Sequence, residues 1–236
     1  MTSSLQNLKV FTTHPHECSY LENEEATTLF LDPKTEVNQQ LYSHLSTIGF
    51  RRSGSFLYRP HCQNCNACIP ARVPVALFNN SRSHKRTWKN NSDVIVQKLD
   101  NIDTDQHYKL YQCYINERHH DGDMYPPDRE QYNSFLASEW NVTSFYEFST
   151  SDKLLGVAVV DRLDDGLSAI YTFFDPEEHS RSLGTYAVLW QLQLCRQLNL
   201  PYVYLGYWIK ECQKMNYKTR YQPLELLINN RWSNLL

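Results

Sequence analysis

Residues 154–192, LLGVAVVDRLDDGLSAIYTFFDPEEHSRSLGTYAVLWQL, hold most of the fold. Two apolar runs, 154–162 and 167–174, flank Asp164-Asp165-Gly166, and an Asp-Gly step between β-prone runs is a hairpin signal. Asp175-Pro176 then breaks the strand pattern. From 182 to 198, Leu183, Ala187, Trp190, Leu194 and Leu198 recur at helical spacing as a broad apolar stripe, and Pro201 stops the helix. Residues 144–148 read as one more strand before the hairpin, joined through Ser-Asp-Lys, and 202–208, YVYLGYW, as a buried strand after the helix. An antiparallel meander, a helix and a following strand make an α+β arrangement.

That order is the core order of the acyltransferase fold that uses acetyl-coenzyme A (GNAT-type), although fold order alone says little about substrate. Such enzymes hold coenzyme A phosphates on backbone N–H groups at a helix start with the pattern Arg/Gln-x-x-Gly-x-Gly/Ala. Here Arg181-Ser-Leu-Gly184-Thr185 is followed by Tyr186, so coenzyme A is not expected.

Upstream, residues 26–31 read as a strand ending at Asp32-Pro33. Residues 35–48 read as a helix, with Val37, Leu41, Leu45 and Ile48 on one face and Gly49 at its end. Residues 69–78 and 93–99 read as strands, the first confined to an edge or a kink by Pro70 and Pro74. A helix capped by Asp103 or Thr104 runs to about Arg118, and HHDGD at 119–123 is a loop. The chain thus divides into a cysteine-containing, basic region over 1–100 and an acyltransferase-like domain over 101–236.

Composition sets bounds. With 236 residues and 41% hydrophobic content the chain can bury a core. It has no apolar run near the roughly 18–20 residues of a membrane helix, and its start, MTSSLQNLKV, does not read as a leader, so the expected location is cytoplasmic with no membrane partner. The formal net charge is −3, yet residues 51–92 contain eight Lys or Arg and no Asp or Glu. Such a segment is a localised field for a polyanion. Arg82, Lys85, Arg86 and Lys89 with Trp88 are the expected phosphate- and base-contacting residues, and Lys214 and Lys218 form a second small basic cluster.

Cys62, Cys65 and Cys68 fall on a three-residue beat inside this segment, and Cys18 or His61 would complete a four-ligand set. Two-residue spacers let a loop turn back on a zinc or iron–sulfur centre, and a brace of unmetallated thiols is the alternative. Glu147, Asp161 and Asp175, at strand ends, are the candidate bases.

Taken together, RRSGSFLYRPHCQNCNACIPARVPV, SRSHKRTWKNN, RHHDGDMYPPD, the stretch quoted first and LPYVYLGYWIKECQKMNYK resemble the bacterial aspartate/glutamate leucyltransferases, relatives of the eukaryotic arginyl-tRNA–protein transferases. The resemblance runs in order from Cys18 to Pro223. It implies an enzyme that moves leucine from leucyl-tRNA to the α-amine of proteins beginning with Asp or Glu, marking them for N-end-rule degradation. It departs from the arginyltransferases at Leu21, where their second thiol is missing, and beside Cys68, where one thiol of an adjacent pair remains.

An aminoacyl ester is already activated, so transfer needs positioning, an oxyanion donor and a neutral amine, and requires no cofactor. The acceptor's carboxylate needs a cation, for which Arg51, Arg52, Arg72 and Arg118 are the candidates. The competing reading is a non-catalytic, metal-stabilised RNA-binding protein.

Overall fold

The computed structural model describes residues 8–136 and 140–235. Residues 1–7, most of the start read as lacking a leader, lie outside the described residues. In chain order the elements begin with strands β1 (Val10–Thr12), β2 (His16–Glu17), β3 (Glu25–Ala26) and β4 (Thr28–Leu31) and helix α1 (Gln39–Thr47). Strands β5 (Arg51–Ser53), β6 (Phe56–Pro60) and β7 (Ile69–Pro74), helix α2 (Arg82–Asn90) and strand β8 (Ile95–Leu99) follow. Helices α3 (Asp105–Arg118) and α4 (Arg129–Leu136) lead to β9 (Thr143–Ser149), β10 (Leu154–Arg162) and β11 (Gly166–Phe174). Helix α5 (Leu183–Gln197), β12 (Tyr202–Trp208), the 3₁₀ segment Gln213–Arg220, β13 (Glu225–Ile228) and β14 (Arg231–Asn234) complete the chain.

The central meander forms as expected. β10 pairs antiparallel with β9 and β11, and the Asp164-Asp165-Gly166 turn closes the second hairpin. The sheet as a whole is mixed rather than antiparallel. β12 pairs parallel with β11 because α5 carries the chain back to the same end of the sheet before β12 begins. Eight strands run in the order β14-β13-β7-β12-β11-β10-β9-β8, and a second sheet has the order β1-β4-β6-β5. β7 and β8 precede residue 100 in sequence and belong to the large sheet, which draws strands from both sides of that point.

Each face of the large sheet is covered. On one side Leu183, Ala187, Leu189 and Leu192 of α5 share a core with Ala158, Val160, Leu167 and Val203. The buried stripe of α5 is wider than its sequence spacing suggests, because α2 packs on the helix from outside. Tyr186, against Trp88 of α2, is therefore buried; Gln191 is also buried, whereas Leu198 is exposed. On the other side, α3 and α4 set Tyr111, Ile115 and Tyr132 against Val157, Val159 and Phe173. Beside them α1 and the small sheet close over Leu163 and Tyr204.

Local chemistry sets the boundaries. α1 starts at Gln39 rather than 35 because the Asn38 side chain accepts from the Leu41 N–H at 2.8 Å. The polar run 81–91 is a helix, held at its start by a Ser81–His84 capping box. Thr104 caps α3. α4 and the β13–β14 hairpin carry no strong periodic signal, and tertiary packing brings them in.

Candidate functional site

β11 and β12 pair only through Gly166↔Tyr202, Leu167↔Val203 and Ser168↔Tyr204. Beyond Ser168 the two parallel strands separate, and the side chain of Arg51, reaching over from the small sheet, fills the start of the opening. Its Nη1 donates to Ser168 Oγ at 2.8 Å and its Nη2 to the Ala169 carbonyl at 2.6 Å. Gly206 makes room for it. At φ +80° this residue occupies a region that favours glycine, and a Cβ there would stand 3.2 Å from Arg51 Nη2. The neighbouring Tyr207 donates its hydroxyl to the Gly49 carbonyl at 2.7 Å, and its own carbonyl accepts from Lys218 Nζ. Lys218 is buried, and desolvation, followed by the charge of Arg51, lowers its pKa to about 7.

Aromatic rings line the neighbourhood. The Tyr58 and Tyr207 rings lie 6.2 Å apart, and across the opening Tyr114 packs on Tyr171 at 6.3 Å and on Phe174 at 4.9 Å. Arg118 stands over the Phe174 ring at 5.8 Å. Phe174 also meets the start of α5, where a Cβ on Gly184 would come within 3.1 Å of its ring. Lys214 Nζ binds both carboxylate oxygens of Asp121 at 2.7 Å, tying the 119–123 loop to the 3₁₀ segment.

The four expected acceptor arginines are not equivalent. Arg52 is buried with Asp161, its Nε 2.6 Å from Oδ2 and its Nη2 3.0 Å from Oδ1. The same carboxylate accepts from Tyr42 Oη at 2.8 Å and Thr143 Oγ1 at 2.7 Å. The geometry thus gives Asp161 the work of neutralising Arg52. Arg72 is bound to Glu225 at 2.7 Å, with Tyr202 and Trp232 ring centroids 3.5 and 4.2 Å from its guanidinium carbon. Among the described residues Arg51 and Arg118 have no carboxylate within ion-pair distance. The other two candidate bases are also engaged. Glu147 meets His107 Nε2 at 2.9 Å, and Asp175 meets Lys153 Nζ at 2.7 Å.

A family model described as the C terminus of arginine-tRNA-protein transferase matches residues 106–228, and its N-terminal counterpart matches 16–86. The chain is 56% identical over 234 residues to the aspartate/glutamate leucyltransferase of Teredinibacter turnerae, covering 99% of this chain and 96% of that one. It belongs to the aspartate/glutamate leucyltransferase family. The enzyme so named from Pseudomonas fluorescens is likewise 56% identical, over 98% of both chains. Among solved structures, the C-terminal domain of a putative lysylphosphatidylglycerol synthetase from Agrobacterium fabrum is similar at TM-score 0.43 and 12% identity, covering 61% of this chain and 47% of that one.

In this member of the leucyltransferase family the basic segment spans β5, β6, β7 and α2, and its expected tRNA-contacting residues fall on one helix. Arg82, Lys85, Arg86 and Lys89 all lie on α2 with their side chains exposed. Trp88 points the other way, its ring edge-on to Tyr186 at 5.2 Å. Among the aromatics near the start of the segment, Phe50, just before it, is buried, Tyr58 is half-buried and Phe56 is exposed. Lys218, grouped by sequence with Lys214 as a surface cluster, lies instead beside Arg51.

Cys18, Cys62, Cys65 and Cys68 line one cavity of about 440 Å³ together with His61 and Arg59. Cys18 arrives on the turn between β2 and β3, and Cys212 stands close enough to influence Cys68 electrostatically. Burial, and then the charges of the neighbouring thiols, push the Cys68 thiol up to about 12. Among the described residues no three Cys, His, Asp or Glu side chains close on a point that one metal ion would occupy. Nothing in the sequence flagged Cys212 or Gly206: a single thiol and a single glycine carry no spacing signal.

Proposed function

We propose that this protein transfers leucine from leucyl-tRNA to the α-amine of proteins beginning with Asp or Glu. The observation that carries this reading is identity of 56% across essentially the whole length of two aspartate/glutamate leucyltransferases. The parallel strands that part beyond Ser168 offer an opening in which an ester carbonyl and an amine could meet. Because leucine arrives as an ester, no nucleophilic side chain is needed. An α-amine with a pKa near 8 is already partly neutral at pH 7 to 8. Backbone and side-chain donors at the opening would then stabilise the tetrahedral oxyanion.

Leucyl-tRNA phosphates would lie along Arg82, Lys85, Arg86 and Lys89, with Lys214 at a second contact and Arg118 near the mouth. Coenzyme A has no part in this reading, because Tyr186 stands where the coenzyme A pattern has Gly or Ala. The acyltransferase-like half is residues 101–236 and the cysteine-bearing, basic half 1–100, a functional division across a shared sheet. A cytoplasmic location and a role in N-end-rule degradation belong to the same proposal.

Cys18, Cys62, Cys65 and Cys68 would hold a zinc or an iron–sulfur centre. When bound, such a centre would neutralise thiolates and brace the loop from β6 to β7 against the N-terminal turn. No step of the transfer needs it.

Incubation with radiolabelled leucyl-tRNA and peptides starting with Asp, Glu, Arg or Ala tests the reading. Label in the Asp and Glu peptides alone is expected. Binding of leucyl-tRNA without transfer to any peptide would favour the non-catalytic RNA-binding alternative.

A further inference from the structure

Two basic side chains from different elements reach consecutive residues of β12, and among the described residues no carboxylate pairs with either. Arg51, from β5, lies against Gly206 and donates to Ser168 and Ala169. Lys218, from the 3₁₀ segment after β12, donates to the carbonyl of Tyr207. The charge of Arg51 acts to lower the Lys218 pKa, and the thiols of Cys212 and Cys68 act to raise it. The Tyr217 ring centroid is 5.7 Å from Nζ, and Tyr58 and Tyr207 stand close enough to feel Arg51. Among the described residues no Asp or Glu pairs with either cation, whereas Arg52, Arg72, Arg129, Arg181, Lys153 and Lys214 each have a carboxylate.

A buried basic group near a half-buried guanidinium favours an anion that joins them. An Arg fork and a Lys ammonium arriving from two sides suit the two oxygens of a carboxylate. We propose that Arg51 and Lys218 form the subsite for the side-chain carboxylate of the acceptor's first residue, Asp or Glu. This rests on the transfer reading and deepens it. Arg51 is held by its bonds to β11, and Lys218 by its bond to the Tyr207 carbonyl. With its carboxylate there, the acceptor's amine lies a few bonds away, in the opening between β11 and β12.

The test compares kcat/KM for an Asp-starting peptide with that for its Asn-starting twin in wild type, Lys218→Met and Arg51→Gln, with leucyl-tRNA binding measured separately. Lys218→Met removes a buried amine and should fold; Arg51→Gln removes the charge and keeps a polar side chain, shorter than the guanidinium that reaches Ser168 and Ala169. Thermal melting establishes which variants are folded. In a folded variant the Asp-to-Asn ratio is expected to fall roughly 10- to 100-fold, through a raised KM for the Asp peptide, the effect of losing one charged hydrogen bond. An unchanged ratio in either folded variant overturns the subsite. So does an unchanged ratio accompanied by weakened leucyl-tRNA binding, which would assign the pair to a tRNA phosphate. Failure of the wild type to transfer leucine to any peptide would instead defeat the transfer reading itself.

Discussion

Replacing Asp161 by Asn separates a structural carboxylate from a catalytic one. Both side chains of the Arg52–Asp161 pair are fully buried, and the carboxylate accepts from Arg52, Tyr42 and Thr143. The amide keeps the shape but takes the Asp161 charge away from the guanidinium, and breaking a buried pair in this way costs about 3–5 kcal/mol. For a chain of this size each kcal/mol lowers Tm by about 2–4 °C, so a fall of roughly 6–20 °C is expected. The double variant Arg52→Met with Asp161→Leu removes both charges and should recover a large part of the loss. The assay is thermal unfolding of the three variants alongside leucyl transfer at a temperature where Asp161→Asn stays folded. There the folded variant should retain transfer. A variant that melts like the wild type yet has lost transfer would refute the reasoning and make Asp161 a proton acceptor.

The triple variant Lys85→Ala, Arg86→Ala, Lys89→Ala should weaken leucyl-tRNA binding, with the log–log salt slope flattened by about 2–3 overall, near 0.7–0.9 per lost phosphate contact. Filter binding between low and moderate salt reads this directly, and an unaltered slope moves the tRNA elsewhere. Lys218→Met should also change how stability depends on pH. The folded pKa of Lys218 is lowered from 10.5 to about 7, so below pH 7 both folded and unfolded chains carry the proton and the burial penalty is complete. Between 7 and 10.5 the folded chain gives up its proton, and wild-type stability gains up to roughly 1.4 kcal/mol per pH unit from this group. The advantage of Lys218→Met over wild type should therefore be largest at pH 6 and shrink toward pH 10 in urea unfolding. An advantage independent of pH would show that Lys218 is not the titrating group.

The sequence by itself determined the central meander, α5 and β12, because Asp164-Asp165-Gly166, the period-3.6 stripe and Pro201 are local signals that tertiary packing only reinforces. It also located the cysteine beat and the basic run, which are patterns of adjacent residues, and the long motifs were enough to place the chain in its family. What it could not supply is which charges remain available. Arg51 and Arg52 are neighbours in sequence, yet strand alternation sends Arg52 to Asp161 and Arg51 to the opening between β11 and β12, contacts made across 109 and 117 residues. Lys218 reads as one more surface lysine until the chain after β12 turns back and buries it beside Arg51. Pairing, burial and the meeting of like charges are decided by long-range contacts, and only the tertiary structure contains them.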